Sequence, residues 1–153
     1  MTAKKRNRIF LALYCLAMLV LLFWRERTEL AESYLEKLRP LLILTPFNTI
    51  RHYIGLLSHS DPVFVRIAVM NLFGNVLLFM PLGALLPMSF PRLRSLWRVL
   101  GASAAAVICV EICQMLTLLG RCDIDDLILN TLGCAIGYGI LALCRLCIRK
   151  PGK

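Results

Sequence analysis

The sequence predicts an all-α membrane protein of four transmembrane helices, with both ends in the cytoplasm and an amphipathic, interfacial segment between helices 1 and 2. Three observations predict it. Of the 153 residues, 59% are hydrophobic and the mean hydropathy is +0.73, whereas soluble domains hold about 45–50% apolar residues. The excess is gathered into four runs long enough to cross a hydrocarbon layer. The basic residues stand between those runs and not along one helical face. The net charge of +9 therefore marks membrane flanks, and no nucleic-acid partner is expected.

The first run covers residues 9–24 (IFLALYCLAMLVLLFW) and follows Lys4, Lys5, Arg6 and Arg8. At 1.5 Å per residue it spans about 24 Å, enough when flanking side chains snorkel. It ends in Leu-Leu-Phe-Trp and Arg25 without the small residues of a signal-peptide cleavage site. An uncleaved helix with Trp24 as interfacial anchor is expected. Residues 25–39 alternate in charge (RERTELAESYLEKLR) and predict a solvated or interfacial helix closed by Pro40. The following LLILTPFNTIRHYIGLL is apolar but too interrupted to span. Pro46 pushes Thr45 out of the helical region, so this segment should lie against the outer surface or dip into it.

The second span is expected over residues 64–88, interrupted at Pro81 and leaving at Pro87 and Pro91. The third is expected over 96–119 and the fourth over 124–147. Gly133 and Gly137 form a GxxxG in the fourth, and Gly101, Ala102 and Ala104 to Ala106 lie in the third. Small residues of this kind let helix backbones approach where lipid supplies no hydrophobic drive for packing. The chain thus divides into a tail with helix 1 (1–24), an outer loop (25–63), a core of helices 2–4 (64–147) and a basic tail (148–153).

Orientation follows from Lys and Arg. With the N-terminus inside, the cytoplasmic pieces hold eleven of the eighteen basic residues and none of the nine acidic ones. The short loop with Arg92, Arg94 and Arg98 carries the argument furthest, because short loops follow the positive-inside rule most closely. Six of the seven cysteines lie in or beside apolar runs, where Cys acts as a small hydrophobe. Their odd number argues against a disulfide framework. Cys144 and Cys147 form a CxxC with no second pair or His nearby, and His52 and His59 fall in the outer loop.

Given this topology, polar residues of three helices reach one depth in the outer half. Asn71 and Asn75 are four apart and share a face, as do Glu111 and Gln114, three apart. In the fourth helix, positions 123, 126, 130, 133 and 137 align two acids, Asn130 and both glycines along one stripe, just after Arg121. A carboxylate such as Glu111 costs at least about 2.5–3.5 kcal/mol near the bilayer centre, so it should face the bundle with a partner. That partner is Arg121, or Glu111 is protonated and bonded to Gln114 or another amide. The candidate pocket is therefore Asn71, Asn75, Glu111, Gln114, Arg121, Asp123, Asp126 and Asn130.

NVLLFMPLG (75–83), EICQ (111–114) and GRCDIDDLILNTLGCAIG (120–137), with LTPF (44–47) ahead of them, resemble the VanZ-like family of bacterial membrane proteins. The resemblance covers about residues 41–140 and rests on Pro46, Phe47, Asn75, Phe79, Pro81, Gly83, Glu111, Gln114, Asp123, Asp126, Asn130 and Gly133. It implies a place in the bacterial cell (inner) membrane and adds Pro46 and Phe47 to the candidate site. It also implies a link to resistance against teicoplanin-type glycopeptides, which bear a fatty acyl tail and act at the outer membrane surface. Members outside resistance clusters point to a broader envelope role. Two departures stand out: Ile43 where the family often has Asn, and no further apolar run after the fourth, where some members carry another helix. The second predicts that the four-helix unit is the working core.

Two classes of function fit. In the first, a non-enzymatic protein binds membrane lipids, a lipid-linked envelope precursor or a lipoglycopeptide. Arg121 and the amides Asn75, Gln114 and Asn130 supply hydrogen bonds, and no cofactor or catalytic residue is expected. In the second, an enzyme acts on a lipid-linked phosphate, with Glu111, Asp123 and Asp126 as hard oxygen ligands for Mg²⁺. The first reading is preferred because no nucleophile is evident. A transporter or channel would require an oligomer, since four helices in one chain do not line a pore.

Overall fold

Apolar runs in lipid must satisfy their backbone groups internally, and a helix does this within one segment. The computed structural model describes residues 2–23 and 41–149. Their elements are α1 (Ala3–Phe23), β1 (Leu42–Ile43), α2 (Asn48–Leu56), α3 (Pro62–Ser89), a 3-10 turn (Pro91–Leu93), α4 (Leu96–Leu116), β2 (Cys122–Asp123) and α5 (Ile124–Arg149). Helices α1, α3, α4 and α5 are each long and apolar enough to cross a membrane, so the chain is a multi-pass membrane protein. The charged helix read over residues 25–39, Trp24, Pro40, Lys150 and Lys153 lie outside the described residues.

Local chemistry sets the helix ends. Asp61 accepts the Val63 N–H at 2.9 Å and Pro62 opens α3, a capping residue followed by the one residue that needs no N–H donor there. Pro81 does not interrupt this span, contrary to expectation. The helix runs through both Pro81 and Pro87 to Ser89. Neighbouring helices place donors beside the turn that Pro81 loosens: the Tyr14 hydroxyl donates to the Leu78 carbonyl at 2.6 Å and the Cys134 thiol to that of Phe79 at 3.4 Å. The third span stops at Leu116, short of residue 119. There the Thr117 hydroxyl turns back to the Cys113 carbonyl at 2.7 Å, Leu118 takes a left-handed φ of 57°, and the N–H groups of Leu119 and Gly120 both return to the Gln114 carbonyl.

The most extensive packing joins α3 to α5. A Cβ at Gly133 would collide with the Val76 carbonyl, one at Gly137 with that of Met80, and one at Gly83 with that of Cys134. The two helices therefore touch backbone to backbone. Gly101 has open space around it, so the small residue in α4 is not used for close approach. Helix α1 lies on α3 and α4 on α5, around a core of Leu11, Met18, Phe79, Leu82, Val107 and Cys134. Outward-facing apolar side chains such as Leu143 (64% exposed) and Ile148 (84%) are suited to lipid contact.

The two ends of the bundle differ in chemistry. At one end Lys4, Arg8 and Arg92 line a hollow with Phe90. The Arg8 guanidinium lies 5.4 Å from the centre of the Phe90 ring, and the Tyr138 hydroxyl donates to the Arg94 carbonyl at 2.8 Å. The other end carries the polar residues described next.

Candidate functional site

The site is built around the start of α5. Asp125 and Asp126 lie in its first turn, where the helix dipole favours acids. Just before it, Asp123 accepts the Asp125 N–H at 2.9 Å through one oxygen and the Thr49 hydroxyl at 2.6 Å through the other. Asp125 itself is fully buried and accepts two backbone N–H groups from the start of α2, Phe47 at 2.6 Å and Ile50 at 3.0 Å. These are among the donors a helix leaves unpaired at its N-terminus. Phe47 adopts a left-handed φ of 62°, a conformation that costs a non-glycine residue about 1–2 kcal/mol, and the Asp125 carboxylate holds it there. A two-residue parallel ladder, Leu42 with Cys122 and Ile43 with Asp123, completes the attachment. The interrupted segment after residue 40 is thus pinned to the mouth of the bundle.

Beneath this strap lies a cavity of about 890 Å³. It is walled by polar residues of α3, α4 and α5 and by aliphatic side chains of α1 and α3, among them Leu21, Leu22, Ile67 and Met70. Across it, the Asn75 amide donates to Asp126 at 2.6 Å. Glu111, 7% exposed, accepts the Asp123 backbone N–H at 3.3 Å. Gln114 donates to the Leu22 carbonyl at 2.8 Å, tying α4 to the last turn of α1, whose carbonyls lack helical partners. Asn130 is 4% exposed and its amide oxygen has no hydrogen-bond partner among the described residues. Burial, then the charges of Glu111 and Asp123, push the Cys122 thiol above its usual value, as an electronegative neighbourhood should.

Of the residues singled out from sequence, Asn71, Asn75, Glu111, Gln114, Asp126 and Asn130 line this cavity, and Arg121 joins them. Asn71 also donates to the Ile67 carbonyl of its own helix at 2.8 Å. Asp123 is not in the lining, because both its oxygens serve the strap and the turn before α5. Pro46 and Phe47 are exposed in the strap and do not line the cavity either. The hydrogen bond to Glu111 comes from the backbone amide of Asp123 and not from Arg121 or Gln114, which is turned to α1. Among the described residues, no three His, Cys, Asp or Glu side chains converge closely enough to hold a metal ion.

Sequence reasoning missed Asp125, Thr49, Tyr53 and Arg66. Asp125 lies off the stripe that helical spacing selects in α5, since it faces the strap and not the cavity. Tyr53 and Arg66 both line the cavity. Arg66 stands off the face shared by Asn71 and Asn75 and still lines the cavity, as do Val63, Ile67 and Met70 of the same helix. A basic residue one turn inside a span's outer end was the available signal.

A family model described as VanZ/LLP1 matches residues 10–145. The chain belongs to the VanZ/LLP1 family. Comparison with curated proteins and with solved structures finds no match. In this VanZ/LLP1 chain the Pro-Phe motif forms the turn that Asp125 caps, and the glycines Gly83 and Gly133 seat α3 against α5. The motif's Asn75 and Asp126 close on each other across the cavity. Ile43, where the resemblance leads one to look for Asn, pairs its backbone with Asp123, so that position serves here through its main chain.

Proposed function

We propose that this VanZ/LLP1 protein lies in the bacterial inner membrane with both ends in the cytoplasm and binds a lipidated ligand or lipid headgroup at the outer leaflet. Through that binding it protects the envelope against teicoplanin-type glycopeptides. The observation that carries the reading is the cavity at the end of the bundle away from the basic loop. It combines a polar set around Asn75, Glu111 and Asp126 with an aliphatic wall, the division that an amphiphile's head and tail require. A buried carboxylate at membrane depth is expensive and marks a working site by default.

The test is titration of the detergent-purified chain with teicoplanin and with a glycopeptide lacking the acyl tail, beside susceptibility of cells expressing the chain. Binding and protection are expected for the acylated compound alone. Asp126→Ala should weaken binding roughly tenfold or more, the equivalent of about 1.4 kcal/mol, and abolish protection at an unchanged membrane level. Gly101→Ala, in open space, serves as the control. Equal protection by Asp126→Ala and the parent chain would sink the proposal.

A further inference from the structure

The cavity is graded from rim to floor. Arg66 and Arg121 are exposed side chains on its edge. Below them, Glu111 and Asn130 are 7% and 4% exposed, with half-buried Asp126 beside them. The floor is short of donors. Among the described residues, Glu111 and Asp126 each accept one hydrogen bond, from Asp123 and Asn75, through one of their two oxygens. The Asn130 amide oxygen accepts none among the described residues. The second oxygens of Glu111 and Asp126 are the acceptors that a ligand N–H in the cavity would answer.

We propose that, when no lipoglycopeptide is present, the site holds a zwitterionic lipid whose phosphate is held at the rim by Arg66 and Arg121 and whose primary ammonium turns inward to Glu111 and Asp126. This rests on the binding function proposed above and names its ligand class. A phosphate placed on the floor would meet carboxylate and amide oxygens, which only accept, whereas guanidinium groups match phosphate oxygens well. An ammonium supplies both charge and three N–H donors to the floor. A quaternary ammonium supplies charge without donors, and a glycerol headgroup supplies donors without charge. The aliphatic wall of Leu21, Leu22, Ile67 and Met70 takes the adjoining acyl chain.

The experiment is native mass spectrometry of the full chain released from nanodiscs of phosphatidylethanolamine mixed equally with phosphatidylglycerol or with phosphatidylcholine. Retention of phosphatidylethanolamine is expected at roughly tenfold over either competitor, a factor of ten in affinity. Glu111→Gln should erase that preference while leaving lipid bound. Arg66→Ala and Arg121→Ala, at exposed positions that do not endanger folding, should reduce retention of all three lipids, because the phosphate is common to them. Equal retention of phosphatidylcholine or phosphatidylglycerol overturns this inference and leaves the binding function standing. No lipid held above the level of the doubly substituted Arg66→Ala, Arg121→Ala chain overturns this inference, and overturns the binding function too where teicoplanin does not bind either. Displacement of the bound lipid by an equal concentration of soluble phosphoethanolamine would assign the site to a free headgroup and overturn the lipid.

Discussion

Asp125 organises a region that does not contain it. Fully buried in the first turn of α5, it holds Phe47 and Ile50 of another element through their N–H groups and keeps a phenylalanine in the left-handed region. Asp125→Ala leaves both donors without an acceptor, which should cost about 2–3 kcal/mol of stability. Hydrogen exchange should quicken over residues 44–56 while the middle of α5 stays protected. Uniform loss of protection along the chain would show that Asp125 supports the whole bundle and not the strap alone. Asp123, paired to Thr49 at 2.6 Å, belongs to the same attachment, which is why it is absent from the cavity lining.

The contact of α3 with α5 is the most extensive of the element pairs, and it depends on missing side chains. At Gly137 a Cβ would meet the carbonyl of Met80, a backbone atom that cannot swing aside. Gly137→Val should therefore force the helices apart and lower stability by about 1–3 kcal/mol, as overpacking does. The melting temperature of the detergent-purified chain measures this, with Gly101→Ala expected within about 0.5 kcal/mol of the parent. An unchanged melting temperature for Gly137→Val would mean that α3 and α5 do not approach so closely. Separating these helices also separates Asn75 from Asp126, so the glycine contact and the cavity stand or fall together.

At the scale of the whole molecule, polarity is divided between two ends. Lys4, Arg8 and Arg92 gather at one and Glu111, Asp126 and Asn130 at the other, an arrangement that the positive-inside rule converts into a direction. Reporter fusions after residue 95 should be active only with a cytoplasmic reporter, and fusions after residue 58 only with an exported one. The reverse pattern would put the cavity in the cytoplasm and remove the outer-leaflet ligand.

The sequence by itself determined the four spans, the family motifs and most of the cavity's polar residues. Those features follow from hydropathy and helical period: Asn71 and Asn75, or Glu111 and Gln114, share faces whatever surrounds them. It could not decide what each polar atom meets. Periodicity is blind to contacts between distant segments, so the bond from Asp125 to Phe47, from Gln114 to Leu22 and from Asp123 to Thr49 came only with the tertiary structure. The passage of α3 through Pro81 was hidden for the same reason, since Tyr14 and Cys134, from other helices, place the donors beside that turn. Local chemistry chose which residues leave the lipid, and packing chose which of them face one another.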